Sequence, residues 1–435
     1  MKTILGISAF YHDSAATILI DGKIIAAAQE ERFTRIKHDS SYPFHAIEFV
    51  LSFAKIKLSE IDHIIFFEKP FLKFERLLET YVAFAPKGFR SFCKSIPLWL
   101  KDKLFQKKML FNQLKKHDKN FNDIKRINFL EHHLSHAASA FFPSPFEEAI
   151  ILTADGVGEW ATTTAAIGKG NNLEIKKEIH FPHSLGLFYS AFTYFTGFKV
   201  NSGEYKLMGL APYGDPIYED LIKKNLIDIK PDGSFHLDQS YFNYATGLTM
   251  TNNKFDKLFG KKARNPKYEK LEQFHMDLAA SIQKITEDIM IKLLKSLKEE
   301  FNISNLCLAG GVALNCVANS NLFSVFEKVH IMPNPGDAGS SLGAAALHYY
   351  KQTGRKAEWN GPYLGREIAG KYPVNKALNS LLNGEIFGIA NGKAEFGPRA
   401  LGNRTLCADP RGSEIKDRMN EIKKRQKFRP FAPMI

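Results

Sequence analysis

The chain is poor in cysteine. Its 435 residues hold four, Cys93, Cys307, Cys316 and Cys407, and no two of them form a CxxC pair. Neither a disulfide framework nor a zinc ribbon is indicated, and a reducing, cytoplasmic setting is expected. No apolar run reaches the roughly 20 residues that a membrane-crossing helix needs. The opening MKTILGISAF carries one lysine and turns at once to a strand-like pattern without a cleavage site, so no signal peptide is expected. Motifs of nucleic-acid recognition are also missing. What remains is a globular composition, 44% hydrophobic and 24% charged, on a chain too long for one ordinary core, so two or three lobes are expected.

Acidic residues are the scarcer charge, and the formal net charge is +13. Much of the excess sits in 87–126, where lysines alternate with Phe, Leu, Trp and Met at roughly helical spacing. The plain reading is an amphipathic helical insertion with a solvated basic face. The sharper one is a surface for an anionic partner, which makes peripheral membrane contact through 87–126 an expectation. Nucleic acid is not expected, for want of a motif.

The stretch 131–160, EHHLSHAASAFFPSPFEEAIILTADGVGEW, organises the rest. Residues 132–142 are small and apolar around the histidines and free of Gly and Pro, which suits a short helix. His132 and His136 are four apart, so they project from one face and can share one divalent metal. Nineteen residues after His136, the apolar run 149–152 ends in Thr153, Ala154 and Asp155, with Gly156 and Gly158 behind. A carboxylate at a strand exit is a candidate third ligand. His132, His133 and His136 also read as ordinary polar residues of a packed helix; the aspartate favours the metal.

Taken in order, 3–8 is a strand, Tyr11, His12 and Asp13 form a turn, and 15–20 is a second strand. Asp21-Gly22-Lys23 is a hairpin turn and 24–28 a third strand. The plan recurs from Ala149: strand, turn around Asp155, strand 161–167, glycine turn 168–172, and a strand again. Two copies imply a duplicated α/β fold, the actin/Hsp70-like, ribonuclease H-like plan. Residues 183–214 open as an aromatic helix that reads as core. The turn Asn201-Ser202-Gly203-Glu204-Tyr205-Lys206 suits metal-phosphate or substrate, and equally a helix N-terminus with its cap and a salt bridge. Residues 274–300 form a long amphipathic helix.

Strand 306–308 leads into Gly310, Gly311 and Asn315, where paired glycines allow close approach to a ligand before a helix N-terminus. Asp337 lies in NPGDAGSSLG ahead of a helix over 344–349, as a fourth metal ligand, a nucleotide contact or an N-cap. Residues 359–365, WNGPYLG, read as a linker into a new unit. That unit places Arg399, Arg404, Arg411, Lys423, Arg425 and Arg429 among glycines and prolines, a frame suited to phosphates and carboxylates.

The motifs HHLSHAASAFFPSPFEEA, TADGVGEWATT, NSGEYKLMGLAPYG, GGVALNC, NPGDAGSSLGAA, EFGPRALGNR and FRPFAP together resemble the successive signatures of the O-carbamoyltransferase family. The resemblance runs from Ile4 to the last residue. It implies Hsp70-like metal- and nucleotide-binding lobes over 1–355 and a partial α+β, YrdC-like unit over 356–435. It implies carbamoyladenylate made from carbamoyl phosphate and ATP, then transfer of the carbamoyl group to a hydroxyl of a glycan or natural product. By resemblance the metal, Fe2+, is held by His132, His136, Asp155 and Asp337, and the adenylate by Arg399, Lys423, Arg425 and Arg429. His12 is expected to assist the acceptor or phosphate, with Lys423 and Arg429 beside the reacting groups. The family continues past FRPFAP with an HVDGTxRxQ segment whose arginine serves the adenylate, and often has Glu where Gln426 stands. This sequence stops at Ile435, so little carbamoyladenylate formation by this chain is expected. A threonylcarbamoyl-type tRNA enzyme and a degenerate nucleotide- or metal-binding partner protein remain the alternatives.

Overall fold

The computed structural model describes residues 2–432, apart from the side chains of Leu98, Lys101, Asp102 and Lys103. Pro433, the last residue of the FRPFAP motif, lies outside them. The N-terminal apolar runs build a first sheet. β1 (Thr3–Ser8) pairs antiparallel with β2 (Ala15–Ile20), and β2 with β3 (Lys23–Gln29), the Asp21-Gly22 turn closing the second hairpin. β4 (His63–Phe66) and β5 (Ile127–Phe129) join in parallel on the other side of β1. The order is β3-β2-β1-β4-β5.

The second sheet repeats this. β6 (Glu148–Ala154), β7 (Ala161–Lys169) and β8 (Asn172–His180) form the antiparallel part. β9 (Asn305–Ala309) and β10 (Lys328–Ile331) add in parallel beside β6. The equivalence is strand for strand: three antiparallel, then two parallel, with the first strand of each lobe at the junction. β1 and β6 are almost wholly apolar and buried because both faces are covered. The chain therefore has the duplicated ribonuclease H-like architecture of the actin/Hsp70 type.

Helices α1 (Phe44–Ala54), α2 (Pro70–Ala83), α3 (Phe89–Leu104) and α4 (Gln106–Leu114) decorate the first lobe, and α5 (His132–Phe141) links it to the second. α6 (Leu185–Phe195), α7 (Glu204–Leu210) and α8 (Gln273–Phe301) belong to the second lobe. α6 is core, as its aromatic pattern indicates: Phe188, Phe192 and Phe195 meet Phe242, Phe255 and Phe259 in mostly edge-on contacts.

α9 (Asp337–Thr353) crosses back to pack against β1, β2 and α5. It starts seven residues before the 344 expected from sequence. Gly339-Ser340-Ser341-Leu342-Gly343 has the composition of a loop, but here small residues serve close packing. A Cβ on Gly343 would sit 1.9 Å from the Ser135 carbonyl oxygen, so α5 and α9 touch backbone to backbone.

The linker expected over 359–365 is also shorter. β11 (Tyr363–Ile368) pairs antiparallel with a strand at Gly392–Glu395 (β13), because Tyr363 and Leu364 continue an extended run rather than a flexible joint. β12 (Phe387–Ala390) pairs with β14 (Arg404–Cys407), and α10 (Val374–Leu382) and α11 (Ile415–Ile422) complete this α+β region. No described helix is long and apolar enough to cross a membrane.

Candidate functional site

Asp155 follows β6 directly and is buried. One carboxylate oxygen accepts the backbone N–H of Gly311 at 2.9 Å, and the other faces His132 Nε2 at 3.0 Å. Gly311 can reach it because Gly310 adopts φ 86°, a left-handed conformation that turns the chain past Ala154. α5 sets both imidazoles on one face, with His136 Nε2 3.1 Å from His132 Nε2. Glu159 fixes the start of α5 by accepting the His132 backbone N–H at 3.0 Å and that of Lys69 at 2.7 Å. Asp337 lies in the first turn of α9, whose N-cap is Gly336, so Asp337 is not the cap. Its Oδ1 stands 3.2 Å from His136 Nε2 and 3.7 Å from His132 Nε2.

These four residues are all buried, and their ligand atoms lie within 4.8 Å of one another. A cation with bonds of about 2.1 Å would separate its ligands by about 3.0–3.4 Å, close to the shorter edges seen here. A single shared proton could link the two Nε2 atoms to each other, but it could not also join them to the Asp155 and Asp337 carboxylates as one cation would. Two neutral imidazoles and two carboxylates carry charge −2, which one divalent ion cancels. Imidazole with carboxylate and no thiolate suits a first-row divalent ion. The residues therefore fit a metal.

Without an ion the charges lean on one another. Burial lowers the His132 imidazole's pKa, but Asp337, Asp155 and Glu159 outweigh it and hold it at about 9. Burial opposes ionisation of Asp155, yet His132 and His136 keep its carboxyl well below the usual range. His133 points elsewhere, toward Thr164 Oγ1 at 3.3 Å; burial and His132 push it down, so it stays neutral.

The two aspartates of the cluster open onto a cleft of about 340 Å³ between the lobes, large enough for a small ligand. His12, Gly311, Asn315, Arg399 and Arg429 line it together with Asp155 and Asp337. His12 Nε2 is 3.6 Å from Asp337 Oδ2, while its Nδ1 meets Asp13 at 3.0 Å; Asp13 also holds His38 at 2.8 Å. Burial lowers the His12 pKa, but Asp337 and Asp13 raise it to about 9. Gly310 lies behind the lining, against Ala154.

The C-terminal cations divide. Arg399 reaches the cleft and donates to the Leu314 carbonyl at 3.2 Å, and Arg429 lies over the Tyr205 ring at 4.2 Å. Lys423 and Arg425 do not line the cleft. Arg425 donates to Asn420 Oδ1 at 2.5 Å, and burial with neighbouring Arg425 and Arg429 lowers Lys423. Arg404 is spent on backbone carbonyls, among them Asn391 and Arg366 at 2.8 Å, and Arg411 on Asp409. Neither is free for an anion.

The turn at 201–206 proves to be a helix start. Glu204 caps α7 from within, accepting the backbone N–H of Asn201 and of Gly203 at 3.0 Å, and no Glu204–Lys206 ion pair forms among the described residues. Sequence reasoning passes over Lys37, whose ammonium donates to Tyr205 Oη at 3.1 Å on the cleft wall. The available signal was the charged segment following β3, EERFTRIKH.

Residues 3–346 match the family described as carbamoyltransferase N-terminus, and residues 378–435 match carbamoyltransferase C-terminus. The chain belongs to the carbamoyltransferase family. Among relatives, protein sll1178 of Synechocystis sp. is 52% identical over 100% of this chain and 76% of its own length. Nodulation protein NolNO of Sinorhizobium fredii is 35% identical over 98% of this chain and 62% of its own. Nodulation protein NolO of Bradyrhizobium diazoefficiens is 36% identical over 70% of this chain and 58% of its own. The chain thus spans less than two thirds of the nodulation proteins it matches. Among solved structures, component A of the Acidaminococcus fermentans (R)-2-hydroxyglutaryl-CoA dehydratase aligns over 82% of this carbamoyltransferase-family chain and 100% of its own, at 15% identity and TM-score 0.41. HypF of T. kodakarensis aligns over 81% and 48%, at 15% identity and TM-score 0.42.

Proposed function

We propose that the protein is an O-carbamoyltransferase that makes carbamoyladenylate from carbamoyl phosphate and ATP and transfers the carbamoyl group to a hydroxyl of a glycan or natural product. The observation that carries this reading is the buried His132, His136, Asp155 and Asp337 cluster, whose two aspartates face a cleft with Arg399 and Arg429 on its wall. In this reading 1–355 is the metal- and nucleotide-binding unit and 356–435 the unit that forms the adenylate. The four residues hold a divalent ion, iron(II), which when bound supplies positive charge to phosphates and polarises the carbamoyl carbonyl.

The chain's own residues do the rest. Arg399 and Arg429 bind and orient phosphate oxygens, and Lys423 and Arg425 extend the same cationic region. Burial lowers Lys423 most, and an anion there would relieve the further lowering by Arg425 and Arg429. Asn315 and the Gly311 backbone shape the cleft beside Asp155. His12, oriented by Asp13, carries the proton exchanged with the acceptor hydroxyl or phosphate at Nε2.

The test is whether the pyrophosphate released from ATP, however low its rate with this chain, depends on carbamoyl phosphate, and whether a hydroxyl acceptor then gains one carbamoyl mass, each measured with the chain and with His132→Ala. Carbamoyl-phosphate-independent release, or a gain unaffected by His132→Ala, would sink the reading.

A further inference from the structure

Helix α3 has two unlike faces. Its inner row, Phe92, Ile96 and Trp99, turns toward the body of the protein. Tyr81 of α2 meets the Phe92 ring at 5.3 Å and the Trp99 ring at 6.0 Å. A solvent helix with one face packed normally turns a polar face outward. α3 does not. Phe89, Cys93, Pro97 and Leu100 follow one another at steps of four, four and three, and all are exposed, Phe89 at 69% and Leu100 at 40%. Phe105, just past the helix, is 61% exposed. Beside this apolar row run the exposed cations Arg90 and Lys94, with Lys87 before the helix and Lys108 after it.

We infer that α3 and the start of α4 form a docking face for an anionic lipid bilayer, an inference that stands apart from the proposed reaction. Charge fixes the sign of the partner. Residues 87–126 hold ten lysines and two arginines against three aspartates and no glutamate, a net +9 out of the chain's +13. Lysines respond to a diffuse field of headgroups, whereas planar recognition of single phosphates favours arginine. The apolar row fixes the class of partner. Phe89, Pro97 and Leu100 between basic flanks can bury themselves in the headgroup–acyl boundary while the cations stay at headgroup level. An RNA or an acidic polypeptide would pair with the cations and leave the row in water. Neighbouring α2 exposes Glu75 and Glu79, which confines the face to α3, the Phe105 joint and α4.

The experiment is flotation of the full chain with phosphatidylcholine vesicles, pure or containing about one part in three phosphatidylglycerol. The chain should bind the anionic vesicles, bind the neutral ones weakly, and come off as salt rises from about 0.1 to 0.5 M. A variant with Phe89→Ser and Leu100→Ser should lose at least roughly tenfold in partition. One with Arg90→Ser, Lys94→Ser, Lys107→Ser and Lys108→Ser should lose roughly a hundredfold or more. A polarity-sensitive dye on Cys93, in a Cys316→Ser background with the apolar row otherwise intact, should shift to the blue on anionic vesicles. Failure to bind anionic vesicles, equal binding to neutral ones, or a Cys93 dye that does not shift would overturn the inference. So would wild-type partition by the folded apolar variant, since charge alone would then explain the binding and any polyanion would serve.

Discussion

In the first lobe, the turn between β1 and β2 holds Phe10 and Asp13 at positive φ and leaves His12 about one fifth exposed to the cleft. In the second lobe, the equivalent turn between β6 and β7 buries Asp155, clamped by the Gly311 backbone and by His132. The two turns occupy the same place in the same repeated topology. One supplies a fixed carboxylate with a partner at each oxygen. The other supplies an imidazole with one nitrogen tied to Asp13 and the other looking toward Asp337 and the cleft. A duplicated scaffold thus places two side chains within reach of one centre, and the local surroundings decide which is rigid and which can exchange a proton.

Breaking the buried side should have the largest effect. His132→Ala removes one of the four proposed ligands and should cost more than the roughly 10–100-fold in metal affinity typical of an outer-shell change, while the circular dichroism spectrum is kept. Metal analysis after dialysis checks it, and equal occupancy in wild type and variant would show that the cluster is only structural. Breaking the exposed side should separate binding from chemistry. His12→Ala should retain its metal yet lose about 10²–10⁴-fold in the rate of transfer, the range for a proton-transfer residue. If it loses metal as His132→Ala does, the contrast between the turns collapses.

A smaller effect is expected at the cleft wall. Arg429→Ala should raise the KM for ATP by roughly tenfold with little change in metal content, as for a charged contact that is not fully desolvated. An unchanged KM would detach the C-terminal cations from the site. The smallest effect belongs away from both turns: neutralising Lys115 and Lys116 should leave carbamoyl-phosphate turnover within about twofold of wild type, because surface charges far from a centre are screened. A large loss without any acceptor present would place the insertion in the chemistry.

The parts of the site that follow from local pattern were legible in the sequence. His132 and His136 share a face because helices repeat every 3.6 residues, and Asp155 stands at the exit of an apolar run, 149–152, that looks like a buried strand. The repeat of strand, turn, strand and hairpin carried the fold. Asp337 was ambiguous, because an aspartate ahead of a helix is ordinarily its cap, and only tertiary placement shows Gly336 in that role. The early start of α9 was hidden because glycine and serine signal loops locally, yet here they permit contact between two backbones. The arginines were over-read: composition cannot reveal that Arg404 and Arg411 find their partners nearby, while Arg399 and Arg429 reach across to the lobes.

The origins of the four clustered side chains set a mechanical limit on the molecule. Asp155 comes from the second lobe, the two imidazoles from the helix that leaves the first, and Asp337 from the helix that returns to lie on β1. A bound ion would act as a rivet through all three. Prising the lobes apart at that point would stretch coordination bonds and unseat the α5–α9 crossing at Gly343. Any opening over a substrate would then have to come from the remaining wall of the cleft, where Arg399 and Arg429 lie, and not from its riveted floor.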